Sequence, residues 1–166
     1  ESADKRRYTA ELTIRDMNCN VLGTITKEGE VEGRTSCEIA QMELAEYRQW
    51  EETAFVTINV TMDDGCKLSD IETLLPFKYL NLPKPQINVS VEEAEDEYRI
   101  TLQSDCFAPY VEMDFDDADV IFEDNYFSLT DGKPYTVTFK KDDILNGEFK
   151  NAEDVQKRLK QRQLLR

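Results

Sequence analysis

Residues 104–129, SDCFAPYVEMDFDDADVIFEDNYFSL, decide how this 166-residue chain is read. They run from the end of one strand at Ser104 through an aromatic strand ending near Phe115. An acidic loop then leads into Asp124, Asn125, Tyr126 and Phe127, and Leu129 closes the stretch. Alternation of apolar and polar residues on either side of a polar loop is the mark of strands that bury one face.

The same period of two recurs outward from this stretch. Ala10–Arg15, Phe55–Met62, Ile87–Val91, Tyr98–Leu102 and Tyr135–Phe139 all alternate. Turn residues fall between them at Asp63, Asp64 and Gly65, at Glu92–Asp96, and at Thr130–Lys133. Short strands separated by turns every ~10 residues predict antiparallel sheets packed face to face. Glu38–Trp50 (EIAQMELAEYRQW) dissents, because Ile39, Met42, Leu44, Tyr47 and Trp50 include helix-like spacings; we read it as a strand beginning within Thr35–Ile39 and followed by a loop. Near the end of the chain, Asn151 with Asp154 three residues on predicts a capped short helix over Ala152–Lys157.

Composition bounds the class. A hydrophobic content of 40%, with seven Tyr, eight Phe and one Trp, is ample for packed cores. The 35 acidic against 20 basic residues give a net charge of −15, which repels phosphate backbones and anionic lipid surfaces, so neither nucleic acid nor membrane is an expected partner. The exception is Val155–Arg166, where Lys157, Arg158, Lys160, Arg162 and Arg166 stand without an acid. That run reads as a solvated face or as a strand packed near an acidic neighbour. Nothing approaches the ~18 consecutive apolar residues of a membrane helix, and the first ten residues have no apolar signal core. A chain beginning at Glu1 without Met is expected to be a processed or excised fragment.

With no histidine anywhere, Ser-His-Asp and Cys-His catalysis, His-ligated zinc and His-ligated haem are all excluded within the chain. Carboxylate pairs alone could still serve glycoside hydrolysis, but 35 acidic residues make some such pair inevitable. Cys19, Cys37, Cys66 and Cys106 are too widely spaced for a C-x-x-C motif and are expected to be free thiols. Asp114, Asp116, Asp117 and Asp119 suggest oxygen ligands for calcium, yet the loop lacks the Gly and the Glu of an EF-hand; a solvated loop is expected, with no metal and no cofactor.

Two motifs resemble the C-terminal part of β-mannosidases of glycoside hydrolase family 2. Ala108, Val111, Met113, Asp114 and Phe115 match a strand of the form A-x-x-V-x-L-D-F, and Asp124–Phe127 with Leu129 matches D-N-Y-F-x-L. Lys78–Pro85 (KYLNLPKP) resembles the K-Y-L-x-L-P-x-P connector between the penultimate and last domains. The resemblance covers most of residues 50–166, and it implies a closing strand over Leu159–Leu164 after the short helix. It implies an all-β chain of two immunoglobulin-like antiparallel β-sandwiches in tandem, over residues 1–83 and 84–166. The first is expected to lack its opening strands, since Tyr8 leads into what resembles the third. A sheet edge there would be exposed unless residues 1–8 or a neighbouring chain cover it. Pro83 and Pro85 stiffen the connector and imply a defined orientation of the two halves.

The resemblance also implies a role. The chain is expected to be non-catalytic, supporting a catalytic barrel and N-terminal domains in a parent that hydrolyses terminal non-reducing β-D-mannose by a retaining two-glutamate mechanism; no catalytic residue maps onto it. The alternative is an autonomous module binding a carbohydrate or a protein. Trp50, Tyr110, Tyr126 and Phe127 are the candidate sugar contacts, although aromatics on alternating strands more often fill the core. Asp124 and Asn125 are expected to cap the turn entering the Tyr126–Phe127 strand. Asn59-Val60-Thr61 and Asn88-Val89-Ser90 match glycosylation sequons but sit inside expected strands, and we take them as chance matches.

Overall fold

The computed structural model describes residues 5–43 and 45–163. The chain divides into two compact units, residues 1–81 and 82–166.

In the first unit, β1 (Arg6–Asp16) pairs antiparallel with β2 (Val21–Val31) and with β3 (Ala54–Met62), and β4 (Lys67–Thr73) completes the order β2-β1-β3-β4. The strand carrying Tyr8 is therefore paired on both sides, and the sheet edges fall to β2 and β4; residues 1–4 lie outside the described residues. Register aligns Ala10, Leu12 and Ile14 with Val60, Ile58 and Val56, which makes one apolar face. The β3–β4 turn relies on Gly65, whose φ of +87° suits glycine, and Asp64 caps it by accepting the Cys66 amide at 3.0 Å.

The strand expected to begin within Thr35–Ile39 does not form. Residues 35–43 have no regular structure and Ala45–Trp50 is a 3-10 helix. Both flanks of β1 are already occupied, so this segment crosses the apolar face instead, where Met42, Tyr47 and Trp50 pack against Ile14, Ala54 and Val56. The fifth residue of that helix-like series, Leu44, lies outside the described residues.

Two glycines of β2 make room for tyrosine rings. A Cβ at Gly29 would lie 2.5 Å from the Tyr8 hydroxyl oxygen and 2.7 Å from its Cζ, and one at Gly23 would collide with the Tyr47 hydroxyl oxygen. Gly29 faces Tyr8 across the β1–β2 pair, so the ring lies over the glycine, an arrangement that shields a Gly in a strand. Gly29→Ala should destabilise this unit by about 1 kcal/mol or less, because the clash falls on the far end of the Tyr8 side chain, which must swing aside. Urea unfolding followed at Trp50 checks this, and the penalty should vanish when Tyr8 is also replaced by Ala.

In the second unit, β5 (Ile87–Glu93), β6 (Glu97–Ser104) and β10 (Tyr135–Lys140) form one antiparallel sheet in the order β10-β6-β5. A second has β7 (Ala108–Asp114) between β9 (Phe127–Leu129) and β12 (Lys160–Arg162), while β8 (Asp119–Val120) pairs with β11 (Ile144–Asn146). Inward side chains of both three-stranded sheets share one core: Tyr98, Ile100 and Leu102 with Val137 and Phe139 from the first, and Val111, Met113, Phe127 and Leu129 from the second. Phe139 sits among aromatic rings, with centroids 5.2 Å from Tyr98, 5.6 Å from Phe122, 5.9 Å from Phe149 and 6.2 Å from Phe115.

The short helix α1 (Ala152–Arg158) forms where the Asn151 signal placed it, with the Asn151 side chain accepting the Asp154 amide at 2.9 Å. Val155 inserts fully into the core. Arg158 then fixes the end of the helix, with contacts to Asp154 at 3.2 Å, Asp117 at 3.0 Å and the Glu148 carbonyl at 2.8 Å, and with its guanidinium over the Phe149 ring. β12 follows directly; the Leu164 end of the expected strand lies outside the described residues.

Candidate functional site

The Asp124–Phe127 motif works through four side chains with separate tasks. Asn125 behaves as a one-residue strand. Its Oδ1 accepts the Met113 amide at 2.8 Å while its Nδ2 donates to the Met113 carbonyl at 3.0 Å, so it satisfies both backbone groups of that residue of β7. The same Oδ1 accepts the Tyr126 amide at 3.0 Å, which is the turn-capping role expected of Asn125.

Asp124 does something else. It accepts a 2.7 Å hydrogen bond from the Tyr135 hydroxyl on β10, and Tyr135 stacks on Phe127 at 4.6 Å. Sequence reasoning missed Tyr135 as the partner, although the alternation of Tyr135–Phe139 already placed it on the same side as Val137 and Phe139. Partial burial, then the Asp124 bond, then the charges of Asp124 and Glu123 push the Tyr135 phenol up from 10.0 to about 12. A phenol raised on folding stabilises the folded state fully below pH 10 and progressively less as pH climbs to about 12. Tyr135→Phe should therefore remove a tyrosinate absorbance step near pH 12 and flatten the alkaline loss of stability. At neutral pH it should cost only about 1 kcal/mol, because a side chain more than a third exposed is screened by water.

Tyr126 follows Asn125 in left-handed backbone, with φ of +64°, and its ring is 60% exposed. Its hydroxyl donates to Glu112 Oε1 at 2.9 Å, and that bond with the carboxylate charge holds the phenol above its ordinary range. Glu112 in turn lies 3.8 Å from the Arg162 guanidinium of β12. Tyr110 also has a positive φ, +48°, at the register shift between Ala108 and Val111, and its amide donates to Ser128 Oγ at 3.2 Å.

The four candidate aromatics thus separate. Trp50 packs in the first unit and Phe127 is buried in the core of the second; Tyr110 and Tyr126 are the exposed pair.

The acidic loop is tied to the basic end of the chain. Asp116 pairs with Lys160 and Asp117 with Arg158, Asp119 accepts from Asn146 at 3.4 Å, and Asp114 accepts the Phe115 amide. These carboxylates point at different partners, and among the described residues no cluster of three or more metal-ligating side chains converges. Arg166 lies outside the described residues. Cys19, Cys37, Cys66 and Cys106 form no disulfide with one another. Asn59 and Asn88 lie within β3 and β5 as read, with Asn59 accepting from Ser69 at 2.8 Å. No helix among the described residues is long and apolar enough to cross a membrane.

An open groove of about 490 Å³ runs beside this motif. Glu112, Asp114, Asn125, Tyr126, Leu145 and Asn146 are among its lining residues.

Two three-stranded antiparallel sheets closed over one apolar core, with an Asn cap stitched to β7, define an immunoglobulin-fold domain in the second unit. Residues 82–165 match the mannosidase Ig-fold domain family, and the chain belongs to that family. In fold, the chain is similar to β-D-mannosidase of Dictyoglomus thermophilum, with a TM-score of 0.75 and 20% identity over 98% of this chain and 19% of that one. Exo-chitosanase CsxA of Amycolatopsis orientalis is similar at a TM-score of 0.51 and 14% identity, over 98% of this chain and 23% of that one. The chain therefore spans about a fifth of the length of these glycosidases. No curated protein matches it in sequence.

Proposed function

We propose that this chain is the non-catalytic C-terminal region of a β-mannosidase-like glycoside hydrolase, packing beside a catalytic barrel and N-terminal domains carried elsewhere in the parent. The parent then removes terminal non-reducing β-D-mannose. The observation that carries this reading is the match of 98% of the chain to 19% of a β-D-mannosidase, joined to the family match over residues 82–165. The chemistry of the motif agrees with a structural task. Asn125 serves the backbone, Asp124 and Glu112 accept tyrosine hydroxyls, and the acidic loop balances Arg158 and Lys160.

The test is a hydrolysis assay on an aryl β-D-mannoside, run with the purified chain and with the full-length parent. Turnover by the parent and none by the chain is the expected result. Turnover by the chain alone overturns the non-catalytic assignment, and a parent that ignores mannosides but cleaves another aryl glycoside overturns the substrate.

A further inference from the structure

We propose that the groove beside β7, β8 and β11 is a saccharide-binding site, taking one or two sugar units of a neutral oligosaccharide. The inference stands on this chain alone and does not depend on which catalytic domain accompanies it.

The volume of about 490 Å³ falls in the range of small-molecule sites, roughly 300–1,000 Å³. The lining is of two kinds. Tyr126 and Leu145 are large apolar side chains left 60% and 68% exposed, while Glu112, Asp114 and Asp119 supply carboxylate lone pairs beyond those that already accept from Tyr126, the Phe115 amide and Asn146. A pyranose has the matching surface, with C–H faces that pack on a ring or an aliphatic chain and equatorial hydroxyls that donate to carboxylates. An anionic ligand meets three carboxylates and is repelled.

Tyr126 is held for such a contact before any ligand arrives. Left-handed backbone at a bulky residue is uncommon and unfavourable, and here it is fixed from both ends, by the Asn125 bond to the Tyr126 amide and by the Glu112 bond to its hydroxyl. The result is an exposed ring with little freedom left to lose on binding, which is how a preorganised contact gains affinity. Core packing does not account for this ring, since its neighbour Phe127 takes the core position.

The experiment is nuclear magnetic resonance titration of the chain with mannobiose, cellobiose and chitobiose, and with oligolysine as a cationic competitor for the same acids. Saccharide binding with Kd on the order of 1 mM is expected, with shifts centred on the amides of Glu112, Asn125, Tyr126, Leu145 and Asn146. Tyr126→Ala should weaken it about tenfold or more, and Tyr126→Phe, which keeps the ring, should weaken it much less. Because Tyr126→Ala disturbs a capped turn, Leu145→Asp provides a second variant on the exposed lining, with the same loss expected. Failure of every disaccharide to shift these amides overturns the proposal, as does a response to oligolysine alone or saccharide shifts that map elsewhere.

Discussion

Replacing Phe139 by Ala should cost the C-terminal unit about 3–5 kcal/mol, a large part of the stability of any domain of this size. The side chain is 1% exposed and its ring lies within 6.2 Å, centroid to centroid, of Tyr98, Phe115, Phe122 and Phe149. These rings come from β6, from the ends of the acidic loop and from the segment before α1, so their backbones are fixed by separate elements and cannot close over the vacated space together. The cost is then the lost transfer energy of the ring plus the cavity that remains. Urea unfolding monitored by hydrogen exchange at β6 and β10 amides measures it. A loss below about 1 kcal/mol would mean that the cluster repacks freely and does not organise the sandwich.

Asn125→Asp should be nearly as damaging despite changing one atom, at about 2–4 kcal/mol near neutral pH. The amide both donates to and accepts from the backbone of Met113. A carboxylate can keep the acceptor half, but it loses the donor and sets a negative oxygen against the Met113 carbonyl. Protonation restores a donor, so the introduced carboxyl should have a folded-state pKa above the ordinary ~3.9. The sign follows from linkage: with the folded pKa raised, the penalty is full well above that pKa and shrinks as pH falls through it. Asn125→Ala loses all three hydrogen bonds of the amide, the two to Met113 and the one from the Tyr126 amide, without adding charge, and should cost about 2 kcal/mol with no such pH dependence. Equilibrium unfolding of the two variants at pH 7 and at roughly pH 4 separates the cases. Equal pH profiles would show that the donor to Met113 contributes nothing.

Strands were legible where one face is buried. Ala10–Arg15, Phe55–Met62 and Tyr98–Leu102 alternate because Ala10, Ile14, Val60, Ile100 and Leu102 point into cores. β2 escaped notice for a physical reason: two of the positions on its inward face, Gly23 and Gly29, are glycines lying under tyrosines, so the apolar contribution comes from the partner side chain. β4 escaped because an edge strand open to water on most of its residues carries no hydrophobic period. The segment before Trp50 showed helical spacing, and the 3-10 helix with its packed Tyr47 and Trp50 is the part of that signal that survives folding.

The site was less legible than the fold. The capping role of Asn125 is local chemistry and could be read from its type, whereas the Asp124–Tyr135 bond depends on a strand that returns from eleven residues away. Asn146 and Leu145 reach the groove through the pairing of β8 and β11, elements of two and three residues that no periodicity can announce. The basic run near the chain end does lie by acidic neighbours, but Arg158 to Asp117 and Lys160 to Asp116 are choices of topology.

The placement of β12 has a consequence for synthesis. The four strands of the first sheet among the described residues are made by Thr73, long before residue 160. β7 has no such advantage: it is the middle strand of its sheet, yet Asp114 waits for Lys160. At ~5–20 residues per second the ribosome needs roughly 2–9 s to cover that gap, during which β7 is a bare edge with unpaired amides and carbonyls. The acids that flank it, Glu112, Asp114, Asp116 and Asp117, keep that edge strongly charged until Arg158, Lys160 and Arg162 emerge to neutralise it. The acids that the finished domain pairs with Arg158, Lys160 and Arg162 thus carry like charge along this edge before those partners are made.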